Sequence, residues 1–151
     1  GQPALNELAK EHPELTLHHL NFEFPENIEN FIQAEQEKLL ACDVFVHAAA
    51  SVEPVHFSEL SADKLLRAFT INVIPSILFT RTLTPAMVSR GWGRIVNLSS
   101  IGVKFGGGSK TFPYSLSKHA LEIFPQEHKS WAASNVLIKY NSNWCYRHTD
   151  A

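Results

Sequence analysis

The chain has 151 residues, 44% of them hydrophobic and 19% charged, and a formal net charge of −2. That length suffices for one domain with a real core, and the composition is that of a globular protein. A charge so close to neutral excludes strong electrostatic attraction to nucleic acid or to an anionic membrane surface. No apolar run approaches the roughly 20 residues that cross a bilayer, so neither nucleic acid nor membrane is an expected partner.

The two cysteines, Cys42 and Cys145, are far apart and form no CxxC pair. They read as reduced thiols of a cytoplasmic protein. Gly1 opens directly into a polar, helix-like stretch, so no signal peptide is expected. The chain does not begin with methionine, so a natural start that lies upstream or was processed away is expected. With no internal repeat and no linker-like break, residues 1–151 are expected to form a single, partial domain.

In chain order, Leu5 to Glu11 reads as the tail of an amphipathic helix stopped by Pro13. Leu15 to Leu20 alternates polar and apolar residues, as a strand does. Pro25 suits a first helical turn, and Ile28, Phe31, Ile32, Leu39 and Leu40 mark one face of the helix that follows. Asp43 to His47 (DVFVH) is an apolar run suited to a strand buried on both faces. Ser58 or Ser61 can cap a long helix that ends near Gly91, with a kink or break at Pro75. Arg94 to Leu98 (RIVNL) is a second buried strand, followed by a glycine-rich loop to Thr111. A helix from Pro113 toward Ala133 and a strand from Val136 to Tyr140 complete the pattern. Strict alternation of helix and strand predicts an α/β layered domain with a parallel sheet.

The most informative pattern is Tyr114-Ser115-Leu116-Ser117-Lys118. Helix positions four apart share a face, so the Tyr114 hydroxyl and the Lys118 ammonium can share a site. A free tyrosine, with a pKa near 10, exchanges protons poorly at neutral pH. A cation at about 4 Å favours the phenolate by roughly 1 to 4 kcal/mol, which moves it toward general acid–base use. Alone, this spacing is common on surface helices. Ser99-Ser100, however, closes the RIVNL strand, where parallel sheets place their ligands. Asn72 lies in an apolar helix face, where a buried amide needs partners.

Taken together, Asp43 to Phe124 resembles the short-chain dehydrogenase/reductase (SDR) family. DVFVHAAA is similar to its strand ending in an Asn-Asn-Ala-Gly motif, and INVIPSILFTRTLTPAM to its long helix carrying an asparagine, here Asn72. GRIVNLSS and YSLSK resemble the catalytic strand and helix. The resemblance implies a three-layer, Rossmann-like, doubly wound parallel sheet and a nicotinamide cofactor, NAD or NADP, exchanging hydride with a carbonyl or alcohol substrate. It further implies that Tyr114 passes the proton as general acid/base. Lys118 would lower the tyrosine pKa and hold the nicotinamide ribose, Ser100 would orient the carbonyl oxygen, and Asn72 would pin a relay water behind Lys118. His47, Ala48 and Ala49 would line the adenosine ribose side through backbone groups, joined by Asn21 and Phe22 on the adenine side. Family members commonly form homodimers or homotetramers through the two long helices.

The sequence also departs from that pattern. The family's first strand, its glycine-rich turn and the following helix have no counterpart here, and the C-terminal elements are missing as well. Asn-Asn-Ala-Gly becomes His47-Ala48-Ala49-Ala50, and Pro125 falls inside the catalytic helix, at a cost of about 3 kcal/mol or a kink. Asn143-Trp144 stands where Pro-Gly is usual, before a family-like Thr149-Asp150. Two alternatives therefore stand beside the oxidoreductase: a non-catalytic remnant acting in self-association, and a nucleotide-dependent epimerase or dehydratase, since such enzymes share the YxxxK pair. Gly106-Gly107-Gly108-Ser109-Lys110-Thr111 superficially resembles a phosphate loop, but Ser109 replaces the glycine before the lysine; a mobile substrate-side loop is expected instead. His18 and His19 point to opposite faces of a strand, so no metal site is expected, and Trp92, Trp131 and Trp144 read as packing residues.

Overall fold

The computed structural model of the protein describes residues 2–141. In chain order these form α1 (Gln2–Glu11), α2 (Pro25–Ala34), α3 (Gln36–Leu40), β1 (Val44–His47), α4 (Ala62–Asn72), α5 (Ile74–Arg90) and β2 (Gly93–Leu98). They continue with α6 (Gly102–Phe105), α7 (Phe112–Ala120), α8 (His128–Ala133) and β3 (Val136–Asn141). The strands make one parallel sheet in the order β1-β2-β3, with Val44 opposite Arg94 and Gly93 opposite Val136. This is the parallel sheet with flanking helices that the alternation predicts.

α5 covers one face of the sheet. Its Phe79, Leu83 and Met87 close with Ile28, Ile95 and Val136 into the core, each such side chain contributing about 1.5–3 kcal/mol when fully buried. On the other face of β1, Val44 and Val46 stay about half exposed, at 50% and 53%, so this strand is not buried on both sides as its composition suggests. By length and apolar composition alone, Ala62–Arg90 could cross a bilayer, contrary to the expectation from a run of apolar residues. In the fold that stretch is broken at Val73 and packs against the sheet and α7.

Three expectations are corrected. Leu15 to Leu20 forms no strand: no described strand lies beside it to share a ladder, and Leu15 and Leu17 stay nearly half exposed while Leu20 and Phe22 pack on the core. The helix after Pro25 is interrupted at Glu35 and resumes as α3. The helix from Pro113 does not run to Ala133. It stops at Ala120, and helix resumes only at His128, because Pro125 removes an N–H and disfavours helical backbone at Phe124. The break near Pro75 is present, with α4 ending at Asn72 and α5 starting at Ile74. Ser61 is the cap, its Oγ accepting from the Lys64 N–H. Cys145, Trp144, Asn143, Thr149 and Asp150 lie outside the described residues.

Candidate active site

Pro113, in the first turn of α7, fixes the entry of that helix and places Tyr114 and Lys118 one turn apart. The Lys118 Nζ lies 5.9 Å from the centre of the Tyr114 ring. It donates to the carbonyl of Leu98, the last residue of β2, at 2.8 Å. Lys118 is 2% exposed, and burial pushes its ammonium down to about 8, because a charge is disfavoured away from water. The pair thus sits at the carboxyl end of the central strand, where open parallel sheets bind ligands.

Ser99 and Ser100 follow directly. Ser99 is committed to the framework: its hydroxyl donates to Glu122 Oε1 at 2.6 Å. Ser100 Oγ accepts from the Gly102 N–H at 3.1 Å, which leaves its own proton free to donate.

Asn72 stands at the break between α4 and α5 and is fully buried. Its Nδ2 donates to the Ser51 carbonyl at 3.1 Å and to Ser117 Oγ at 2.9 Å, and its Oδ1 accepts from the Ser51 N–H at 2.7 Å. Ser117 in turn donates to the Tyr114 carbonyl. The Asn72 carbonyl, left over where the helix breaks, accepts from His47 Nε2 at 2.9 Å. Both the side chain and the carbonyl of Asn72 are therefore occupied by protein groups. The residue is a clasp joining the loop after β1, the helix break and α7. His47 is buried at the end of β1; burial first, and the nearby Lys118 charge, hold its imidazole below the usual range.

The residues expected on the cofactor side divide. Asn21, Phe22 and Ala49 line one open cavity of about 550 Å³, together with Ala50, Ser51 and Arg67. Ala48 is exposed and outside that lining, and the His47 ring is turned into the protein. A half-buried aromatic ring, an amide and the backbone of residues 49–51 suit the adenosine part of a dinucleotide. None of the lining residues is a glycine.

Three participants were not legible in the sequence. Arg67 pairs with Glu23 and Glu53 and borders both this cavity and a narrow crevice at Tyr114; pairs so distant in sequence leave no local signal. Ser51 completes the Asn72 clasp. Ser115 has a buried hydroxyl with no hydrogen-bond partner. Among the described residues no three His, Cys, Asp or Glu side chains gather to hold a metal. No helix begins at Lys110.

Comparison with known proteins fits this geometry. The profile of the family described as short chain dehydrogenase matches residues 1–141. The chain is 34% identical over 94 residues to 3-ketodihydrosphingosine reductase of Bos taurus, covering 62% of this chain and 28% of that protein. It is 32% identical over 90 residues to the ketoacyl reductase HetN of Nostoc sp., covering 60% and 31%. A solved short-chain dehydrogenase from Streptomyces avermitilis superposes with a TM-score of 0.81 at 25% identity, over 93% of this chain and 52% of that one. The chain thus spans about three-tenths of the length of the curated relatives and about half that of the solved structure. The profile matched over residues 1–141, with the parallel sheet and its flanking helices, places this chain in the short-chain dehydrogenase family.

Proposed function

We propose that the protein is an NAD(P)-dependent oxidoreductase that reduces a ketone on a small organic substrate, with Tyr114 as general acid. The observation that carries this reading is Lys118: a lysine 2% exposed at the strand end, one turn from Tyr114, with its ammonium pushed down to about 8. A buried, perturbed cation beside a tyrosine is expensive for a fold and useful for proton transfer.

A nicotinamide nucleotide would supply hydride to the carbonyl carbon. The Ser100 hydroxyl donates a hydrogen bond to the carbonyl oxygen. The Tyr114 hydroxyl gives up its proton to that oxygen as the alcohol forms, and the Lys118 charge stabilises the phenolate left behind. Lys118 and Tyr114 would hold the nicotinamide ribose, while Asn21, Phe22 and Ala49, with the backbone of His47 and Ala48, would face the adenosine. Asn72 acts as a positioning residue, holding α7 through Ser117. The names of two relatives specify keto substrates, which supports the reductive direction. The cytoplasm remains the proposed compartment. A second copy of the chain would cover Ile77 and Ile123, which are 57% and 73% exposed, giving the homodimer or homotetramer expected of the family.

The test is titration of the full natural chain with NADH and with NADPH, following nucleotide fluorescence, and then carbonyl-dependent oxidation of the bound nucleotide. Saturable binding of one nucleotide and its oxidation on addition of a ketone are expected. Absence of binding to either at millimolar concentration favours the non-catalytic remnant instead. Cofactor that is held tightly and regenerated in each turnover favours the epimerase reading.

A further inference from the structure

We propose that Ser115 forms a second oxygen-binding position beside the reacting carbonyl, and that it selects substrates with a neutral oxygen on the adjacent carbon, such as α-diketones and α-hydroxyketones. This rests on the oxidoreductase reading and deepens it.

Among the described residues, the Ser115 hydroxyl is the one buried side-chain polar atom without a hydrogen-bond partner; the residue is 5% exposed. Burying a hydroxyl unpaired destabilises a fold, and such a feature calls for a functional account. The surroundings supply one. α6 and its loop lie against α7, and the packing is made possible by glycines. A Cβ on Gly107 would stand 2.2 Å from Ser115 Oγ and 2.7 Å from Thr111 Oγ1, and Gly107 has a φ of +76° that favours glycine. A Cβ on Gly102 would stand 3.1 Å from Ser115 Oγ and 3.4 Å from Ser100 Oγ. The Ser115 and Ser100 hydroxyls therefore flank the same glycine.

Three hydroxyls gather there, and only one makes no hydrogen bond at all. Ser100 Oγ accepts from Gly102, Thr111 Oγ1 bonds to both backbone groups of Gly108, and Ser115 Oγ bonds to nothing. All three side chains are hydroxyls, and a hydroxyl donor suits a neutral oxygen. Gly106 and Gly107 are consecutive left-handed residues, a pair that can change backbone conformation without a side-chain penalty. In this proposal a change of backbone conformation at this pair would uncover Ser115 next to Ser100, where a substrate carbonyl would be bound. An oxygen on the neighbouring carbon then meets the free hydroxyl.

The experiment compares the full natural chain with its Ser115→Ala variant in two ways: thermal unfolding without substrate, and the ratio of kcat/KM for 2,3-butanedione to that for 2-butanone. Removing the unpaired hydroxyl should raise the unfolding midpoint by several degrees, and the kcat/KM ratio should fall by about tenfold. A purely structural role for the serine would lower the midpoint and leave the ratio alone. An unchanged or lowered midpoint, or an unchanged ratio, overturns the inference. Full activity in Tyr114→Phe would instead overturn the reading beneath it, so the two failures are distinguishable.

Discussion

The two flanks of α7 are built in opposite ways. Toward α4 the polar groups are saturated: Asn72 grips both backbone groups of Ser51 and the hydroxyl of Ser117, and Ser117 grips the Tyr114 carbonyl. Toward α6 the Ser115 hydroxyl is buried with no partner against Gly102 and the left-handed Gly107. A satisfied polar network fixes geometry, whereas an unsatisfied group retains capacity for something that arrives later. On the proposed function, the helix that carries Tyr114 and Lys118 would use both, with one side holding Tyr114 still and the other adapting to a substrate.

Breaking the saturated flank should have the largest effect on stability. Asn72→Ala leaves the Ser51 N–H and carbonyl unpaired and should cost about 2–4 kcal/mol, read from urea unfolding; a loss well below 1 kcal/mol would mean that the clasp is ornamental. Ser117→Ala removes one link and should cost about 1–2 kcal/mol. The double variant should cost less than the separate losses combined, because the two residues share a hydrogen bond.

The buried bases sharpen the comparison through pH. Lys118 has a folded-state value of about 8 against 10.5 when unfolded, so between those values the unfolded chain holds more protons. Stability contributed by this group therefore rises with pH through that window, and Lys118→Met should flatten the rise. A smaller effect concerns His47, whose folded value lies below its usual 6.5. As pH falls below 6.5 the unfolded chain takes up the proton first, and stability declines. His47→Gln keeps an N–H for the Asn72 carbonyl and should remove that acid sensitivity; an undiminished decline would place its origin elsewhere.

Much of this was legible in the sequence because it is local. The DVFVH, RIVNL and Val136–Tyr140 strands sit within a residue of their expected places, since short apolar runs between helices suit a parallel sheet. The break at Pro75 and the cap at Ser61 follow from single-residue chemistry. What failed depended on neighbours or on competition. Leu15 to Leu20 has strand periodicity but no strand to pair with. Pro125 falls inside the helix expected from Pro113 to Ala133, where a kink is one outcome; in the fold the helix stops instead. At the candidate site, the Tyr114–Lys118 spacing is local and Ser100 follows from the resemblance of the GRIVNLSS segment. The occupants of Asn72, namely Ser51 and Ser117, and the Arg67 pairs with Glu23 and Glu53 required tertiary contacts that no local pattern records.

The most direct test of the account is single-turnover hydride transfer to a ketone by the full natural chain and by its Tyr114→Phe variant, with nucleotide affinity and unfolding midpoint measured on both. The account predicts a rate loss of at least about 10²- to 10⁴-fold with affinity and midpoint nearly unchanged. A variant that transfers hydride at the parental rate would contradict the assignment of Tyr114 as the proton donor.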